Sequence, residues 1–104
     1  FVDLCFVHAI HEAQKEIHRG ITLNIPTLIM HSHQSKYPKK WGVDAQQSDV
    51  ILDVKDMTHN ANKMKGDVQT LAIKNGLHDL VLSAPPVREK VYQDLFSWLE
   101  QKMP

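Results

Sequence analysis

Residues 68–83 read VQTLAIKNGLHDLVLS, and the layout of the whole chain follows from how this stretch is understood. Val68, Leu71, Ala72 and Ile73 make a short apolar run, after which the chain breaks at Asn75-Gly76. His78 comes two residues past the glycine, between Leu77 and Asp79-Leu80. The run reads as a buried β-strand whose carboxyl end feeds a turn, and the turn presents one imidazole. Binding and catalytic groups in open α/β sheets gather at the carboxyl ends of strands. Histidine is the side chain whose proton moves near neutral pH. His78 is therefore the first candidate for chemistry, against the plainer reading of a polar loop residue.

Downstream of this stretch, Ala84-Pro85-Pro86 suits a helix start, where the missing proline N–H would be unpaired anyway. Val87, Val91, Leu95, Trp98 and Leu99, with Phe96 beside them, give that helix a broad apolar face. Upstream, 54–65 reads as a helix with Asp53 as N-cap, Asp56 near its positive end, an inward stripe of Met57, Ala61 and Met64, and Gly66 at its end. Before it, Pro26 opens the strand TLIMHS, whose continuous apolar run suits a parallel strand buried on both faces. Residues 33–48 form a long polar loop with no regular structure, and Trp41 within it is expected to fold back onto the core. Phe6, Ile10, Ala13 and Ile17 recur at helical spacing over 6–19, ahead of a capping Gly20. The order is helix, strand, loop, helix, strand, helix, with a parallel pair joined by a right-handed crossover. Both strands read as interior, so residues 1–104 look like the closing section of a larger α/β sheet, incomplete as a domain. The open sheet edge is expected to be covered by another copy of the chain.

Composition narrows the function classes. With 42% hydrophobic and 23% charged residues the chain is ordinary for a globular protein. Lys plus Arg and Asp plus Glu number 12 each, so no global field points to nucleic acid. The local run KYPKK at 36–40 reads as a solvated loop. No apolar stretch approaches the roughly 20 residues of a membrane span. Cys5 is the single cysteine, which excludes an internal disulfide and suits a reducing, cytoplasmic setting.

Histidine is abundant, with seven in the chain. His8, His11 and His18 fall on the polar flank of the first helix. His11-Glu12 is followed by Lys15 where a zinc-protease helix needs its second histidine. His31 and His33 at a strand end could place two imidazoles together, and with His78 they define a metal-binding alternative that lacks a convincing ligand spacing. No metal and no cofactor is expected.

Taken together, IPTLIMHS, SDVILDV, IKNGLHDLVLS and VREKVYQDLFSWL, in this order and spacing, resemble the C-terminal part of an α/β-hydrolase. The group that they are most similar to is that of serine aminopeptidases, monoacylglycerol lipases and lysophospholipases. The resemblance implies that Gly76-Leu77-His78 is the turn of the catalytic histidine. It implies that Asp49, in Asp49-Val50-Ile51-Leu52, is the catalytic acid, with Asp44 and Asp53 as rivals. Asp53 has a competing role as a helix cap. Where relatives have a short turn after the strand, this chain has the KYPKKW loop. Asp79 is expected to brace the histidine turn.

An acyl-transfer triad needs a base oriented by a buried carboxylate, and acid before histidine is the chain order in this fold. No Gly-x-Ser-x-Gly occurs around Ser32, Ser35, Ser48, Ser83 or Ser97. The resemblance places the nucleophile, the oxyanion hole and the cap outside residues 1–104. It implies a serine hydrolase acting on a small-molecule or lipidic ester, with these residues inactive by themselves. The alternative is an α/β-hydrolase-fold interaction protein without activity.

Overall fold

The computed structural model describes residues 2–103. Helix α1 (Leu4–Arg19) is followed by strand β1 (Thr27–Ser32), the one-turn helix α2 (Val43–Gln46), helix α3 (Val54–Ala61), strand β2 (Val68–Ile73), a 3₁₀ turn at Leu80–Leu82 and helix α4 (Pro85–Lys102). The architecture is mixed α/β. β1 and β2 pair in parallel, from Thr27 opposite Val68 to Ser32 opposite Ile73. Helix α3 joins them and packs on both, while α4 packs on β2 and on the 3₁₀ turn. Because the strands run parallel and in register, Ser32 and Ile73 end at one edge of the sheet. Whatever follows each strand is delivered to the same place.

The local chemistry explains where most elements begin and end. The Asp3 side chain accepts from the Cys5 N–H and caps α1, whose start lies two residues before the apolar periodicity. Gly20, at φ +90°, closes it. Pro26 precedes β1, and Pro85 and Pro86 occupy the first turn of α4. Asp53 caps α3 by accepting from the Lys55 N–H at 2.9 Å.

Three expectations about the elements are corrected. Helix α3 stops at Ala61, short of Gly66, because Lys65 is drawn into pairing with 21–23, donating to Ile21 and accepting from Leu23. Gly66, at φ +122°, is needed there because a Cβ would collide with the Leu23 carbonyl. Met64 consequently leaves the helical stripe. The 33–48 connection contains structure of its own in α2, which buries Ala45. Trp41 does not fold back onto the core; it is 72% exposed.

The buried apolar side chains are Ala45, Val54, Ala61, Ile73 and Val91. This core is small, and the radius of gyration of 15.5 Å exceeds the ~13 Å of a compact chain of about this length. Helix α1 buries none of its residues, and Phe6 and Ile10 on its apolar stripe stand in solvent. Both strands of a two-stranded sheet have an open edge. No helix among the described residues is long and apolar enough to cross a membrane.

Candidate active site

Near the carboxyl edge of the sheet, besides the apolar Ile73, the chain buries a set of polar side chains: His31, Ser32, Ser48, Asp49 and Ser83. A buried polar group without a partner costs about 1–3 kcal/mol, and here each one has a partner. Ser32 Oγ donates to the Gln34 carbonyl, and Gln34 Nε2 donates to Ser48 Oγ. Ser83 Oγ accepts from the Leu77 N–H at 2.9 Å. Nδ1 of His31 donates to the Ser32 carbonyl. Asp49 faces His78.

Asp49 is held on all sides. Its backbone N–H donates to Gln34 and its carbonyl accepts from Lys36, which fastens both ends of the intervening loop to the end of β1. Its Oδ1 accepts from the N–H groups of Ile51 (2.8 Å) and Leu52 (2.9 Å). Its Oδ2 lies 2.8 Å from Nδ1 of His78. The carboxylate is 1% exposed. Burial pushes its pKa up, but the Leu52 N–H, the His78 ring and the Ile51 N–H together outweigh burial and hold it below the ordinary 3.8. Asp49 is therefore an anion at neutral pH despite its enclosure.

Ser35 steadies the same turn from the other side. Its hydroxyl donates to the Leu52 carbonyl at 2.6 Å and accepts from the Val54 N–H at 2.9 Å. The segment from Asp49 to the start of α3 is thereby locked to the residues following β1.

His78 is presented by the turn after β2. Asn75 takes the left-handed conformation, φ +61°, which asparagine tolerates better than most residues. The Gly76 N–H donates to the Ile73 carbonyl. A Cβ on Gly76 would stand 2.7 Å from Leu80 Cδ2 and 3.2 Å from the Ile73 carbonyl oxygen, so a larger residue there would push the Leu80 side chain aside and crowd the turn. The His78 side chain is 36% exposed. Since a carboxylate can only accept, Nδ1 carries the proton in the pair with Asp49. Nε2 has no hydrogen-bond partner among the described residues. It borders an open trough lined by Met30, Leu80, Val81, Val91 and Leu95. A neutral imidazole fixed in this tautomer has its Nε2 lone pair free to accept a proton, with a buried anion behind it to stabilise the cation that forms.

Of the three candidate acids, the structure brings Asp49 alone to His78. Asp44 pairs with Lys36 across 3.2 Å, and Asp53 caps α3. Asp79 does not brace the histidine turn through its side chain: only its carbonyl contributes, accepting from Leu82. Ser83 is the brace, through the N–H of the residue preceding His78. The serines hydrogen-bonded in this region, Ser32, Ser35, Ser48 and Ser83, are bonded to groups other than His78.

The roles of Ser35, Gln34 and Ser83 are not legible in sequence, because each depends on a backbone group brought close by the turns. The histidines divide in the same way. Nδ1 of His33 accepts from the Asn75 N–H, while Nδ1 of His31 is engaged with Ser32 and that of His78 with Asp49. Among the described residues no group of three or more His, Cys, Asp or Glu is placed to hold a metal. The metal-binding alternative thus finds no cluster to rest on. No protein-family model matches the chain, and neither does any curated protein or any solved structure.

Proposed function

We propose that residues 1–104 supply the acid and the base of a serine hydrolase of the α/β-hydrolase type, with Asp49 orienting His78. The observation that carries this reading is the 2.8 Å contact between Asp49 Oδ2 and His78 Nδ1, with the carboxylate buried and Nε2 free. In the proposed reaction His78 Nε2 takes the proton of a serine hydroxyl as that oxygen attacks an ester or amide carbonyl. The same proton then passes to the leaving oxygen or nitrogen. Asp49 remains an anion throughout and stabilises the imidazolium. The serine is contributed from outside these residues, which contain no Gly-x-Ser-x-Gly. A small-molecule or lipidic ester is the substrate class that the family resemblance suggests.

The test is labelling of the full-length protein with a fluorophosphonate, beside its His78→Ala variant. Labelling of the parent that disappears in the variant is the expected result. Equal labelling of both, or labelling of neither, overturns the triad and leaves an inactive interaction protein as the reading to pursue.

A further inference from the structure

The loop between Lys36 and Asp49, closed at its root by the Lys36 N–H donating to the Asp49 carbonyl, carries side chains that the chemistry above does not use. Tyr37 is 62%, Trp41 72% and Val43 66% exposed. A large exposed indole is an informative departure from the usual placement of tryptophan. Tyr37 and Trp41 line a shallow concavity together with Pro38, Lys39, Lys40, Ala45 and Val50. Lys36 is neutralised by Asp44, whereas Lys39 and Lys40 form no ion pair among the described residues. The result is a small projecting surface of an indole, a phenol, an aliphatic side chain and two uncompensated ammonium groups.

We propose that this loop docks the protein on an anionic phospholipid bilayer. Tryptophan and tyrosine favour the headgroup level of a membrane, where one side of the ring is apolar and the other wet. Lysines beside them gain from the negative surface potential of lipids such as phosphatidylserine. A nucleic acid is the poorer fit: it calls for a basic stripe that neutralises many phosphates, and here two lysines stand on a chain with no net charge. Lys36 N–H and Asp49 are bonded at the root of the loop, so docking would bring the carboxyl edge of the sheet, and with it His78, towards the lipid. The docking does not depend on the hydrolase reading, because binding is read without turnover.

The test is vesicle sedimentation of the full-length protein, with tryptophan fluorescence, on phosphatidylcholine vesicles with and without phosphatidylserine. Binding to the anionic vesicles is expected, with a blue shift that is absent in Trp41→Phe. The double variant Lys39→Glu/Lys40→Glu should weaken partitioning by at least about tenfold, and added salt should weaken it in the parent. All substituted positions are exposed, so thermal melting should be unchanged. Absence of binding at low salt overturns the proposal. So does equal binding to uncharged vesicles, or binding that neither Trp41→Phe nor the lysine double variant affects.

Discussion

Asp49 and His78 stand 29 positions apart in sequence and meet through Oδ2 and Nδ1 at 2.8 Å, because two parallel strands end at the same edge of the sheet. One carboxylate oxygen is committed to the turn that follows it and the other to the imidazole. This division of labour fixes which atoms can be exchanged without moving the backbone.

Asp49→Asn should keep the turn and lose the tautomer. The amide oxygen can still accept from Ile51 and Leu52, which leaves the NH₂ group facing His78 and obliges Nδ1 to accept. The ring proton then moves to Nε2, and the base is lost. Ring-nitrogen NMR of the neutral imidazole should show the Nδ1–H form in the parent and the Nε2–H form in the variant. In the full-length protein, hydrolysis should fall on the order of 10⁴-fold. An unchanged tautomer would remove the orienting role from Asp49.

The same residue makes folding stability depend on acid. The folded pKa of Asp49 lies below its ordinary 3.8, so its contribution is complete above that value and is lost as pH falls through the lowered folded pKa. Near neutral pH the parent should exceed Asp49→Asn by about 1.5–3 kcal/mol, the range for a hydrogen bond to a charged group. Urea unfolding of both proteins from about pH 5 down to about pH 2 should show the gap narrowing on the acid side. A gap that stays constant through this window would mean that the carboxylate is not held in its charged form.

Asp53 and Asp44 should prove structural. Asp53→Ala removes the cap of α3 and should cost about 1 kcal/mol, while the Nδ1–H tautomer of His78 remains. Asp44→Asn breaks an exposed pair with Lys36 and should change stability by less than about 1 kcal/mol. Fluorophosphonate labelling of the full-length protein should survive both substitutions and be lost in Asp49→Asn. Loss of labelling in Asp53→Asn, which preserves the cap, would reassign the acid.

How much of this was legible in sequence follows from the range of each interaction. Helix starts at Asp53 and Pro85 and the strand opening after Pro26 rest on bonds within a few residues, and the sequence shows them directly. The end of α3 does not, because Lys65 is taken by Ile21 and Leu23 from across the chain. Trp41 misleads for a different reason: an apolar side chain suggests burial, yet its indole is 72% exposed. His78 stands out by its place after a strand end and a glycine, and Asp49 only through the family resemblance, whereas Ser35 and Ser83 act on backbone groups that carry no side-chain signature.

In residues 1–104 taken by themselves, the open edge of β1 should drive self-association. Thr27 and His33 direct their N–H groups towards β2, so by the alternation of a strand those of Leu28 and Met30 face the free side. Light scattering should give a mass that rises with concentration. Leu28→Pro removes one free donor without touching the β1–β2 ladder and should shift this rise to higher concentration. If the apolar stripe of α1 is responsible instead, Phe6→Asp will suppress the association and Leu28→Pro will not.

Ser83 and Asp79 offer opposite expectations for the histidine turn. Ser83→Ala leaves the Leu77 N–H without its acceptor in a partly enclosed site and should cost about 1–2 kcal/mol in unfolding experiments. It should also broaden the ring-nitrogen signals of His78, because the residue before it is released. Asp79→Asn should do neither, since its side chain makes no hydrogen bond as the cap of the 3₁₀ turn. The 3₁₀ turn places Leu80 against Gly76, so Gly76→Ala should destabilise by about 1–3 kcal/mol through crowding and loosen His78 as Ser83→Ala does. Equal loss in Asp79→Asn and Ser83→Ala would show that the turn is braced by the carboxylate next to the histidine, as its position in the sequence suggests, and not by the hydroxyl five residues on.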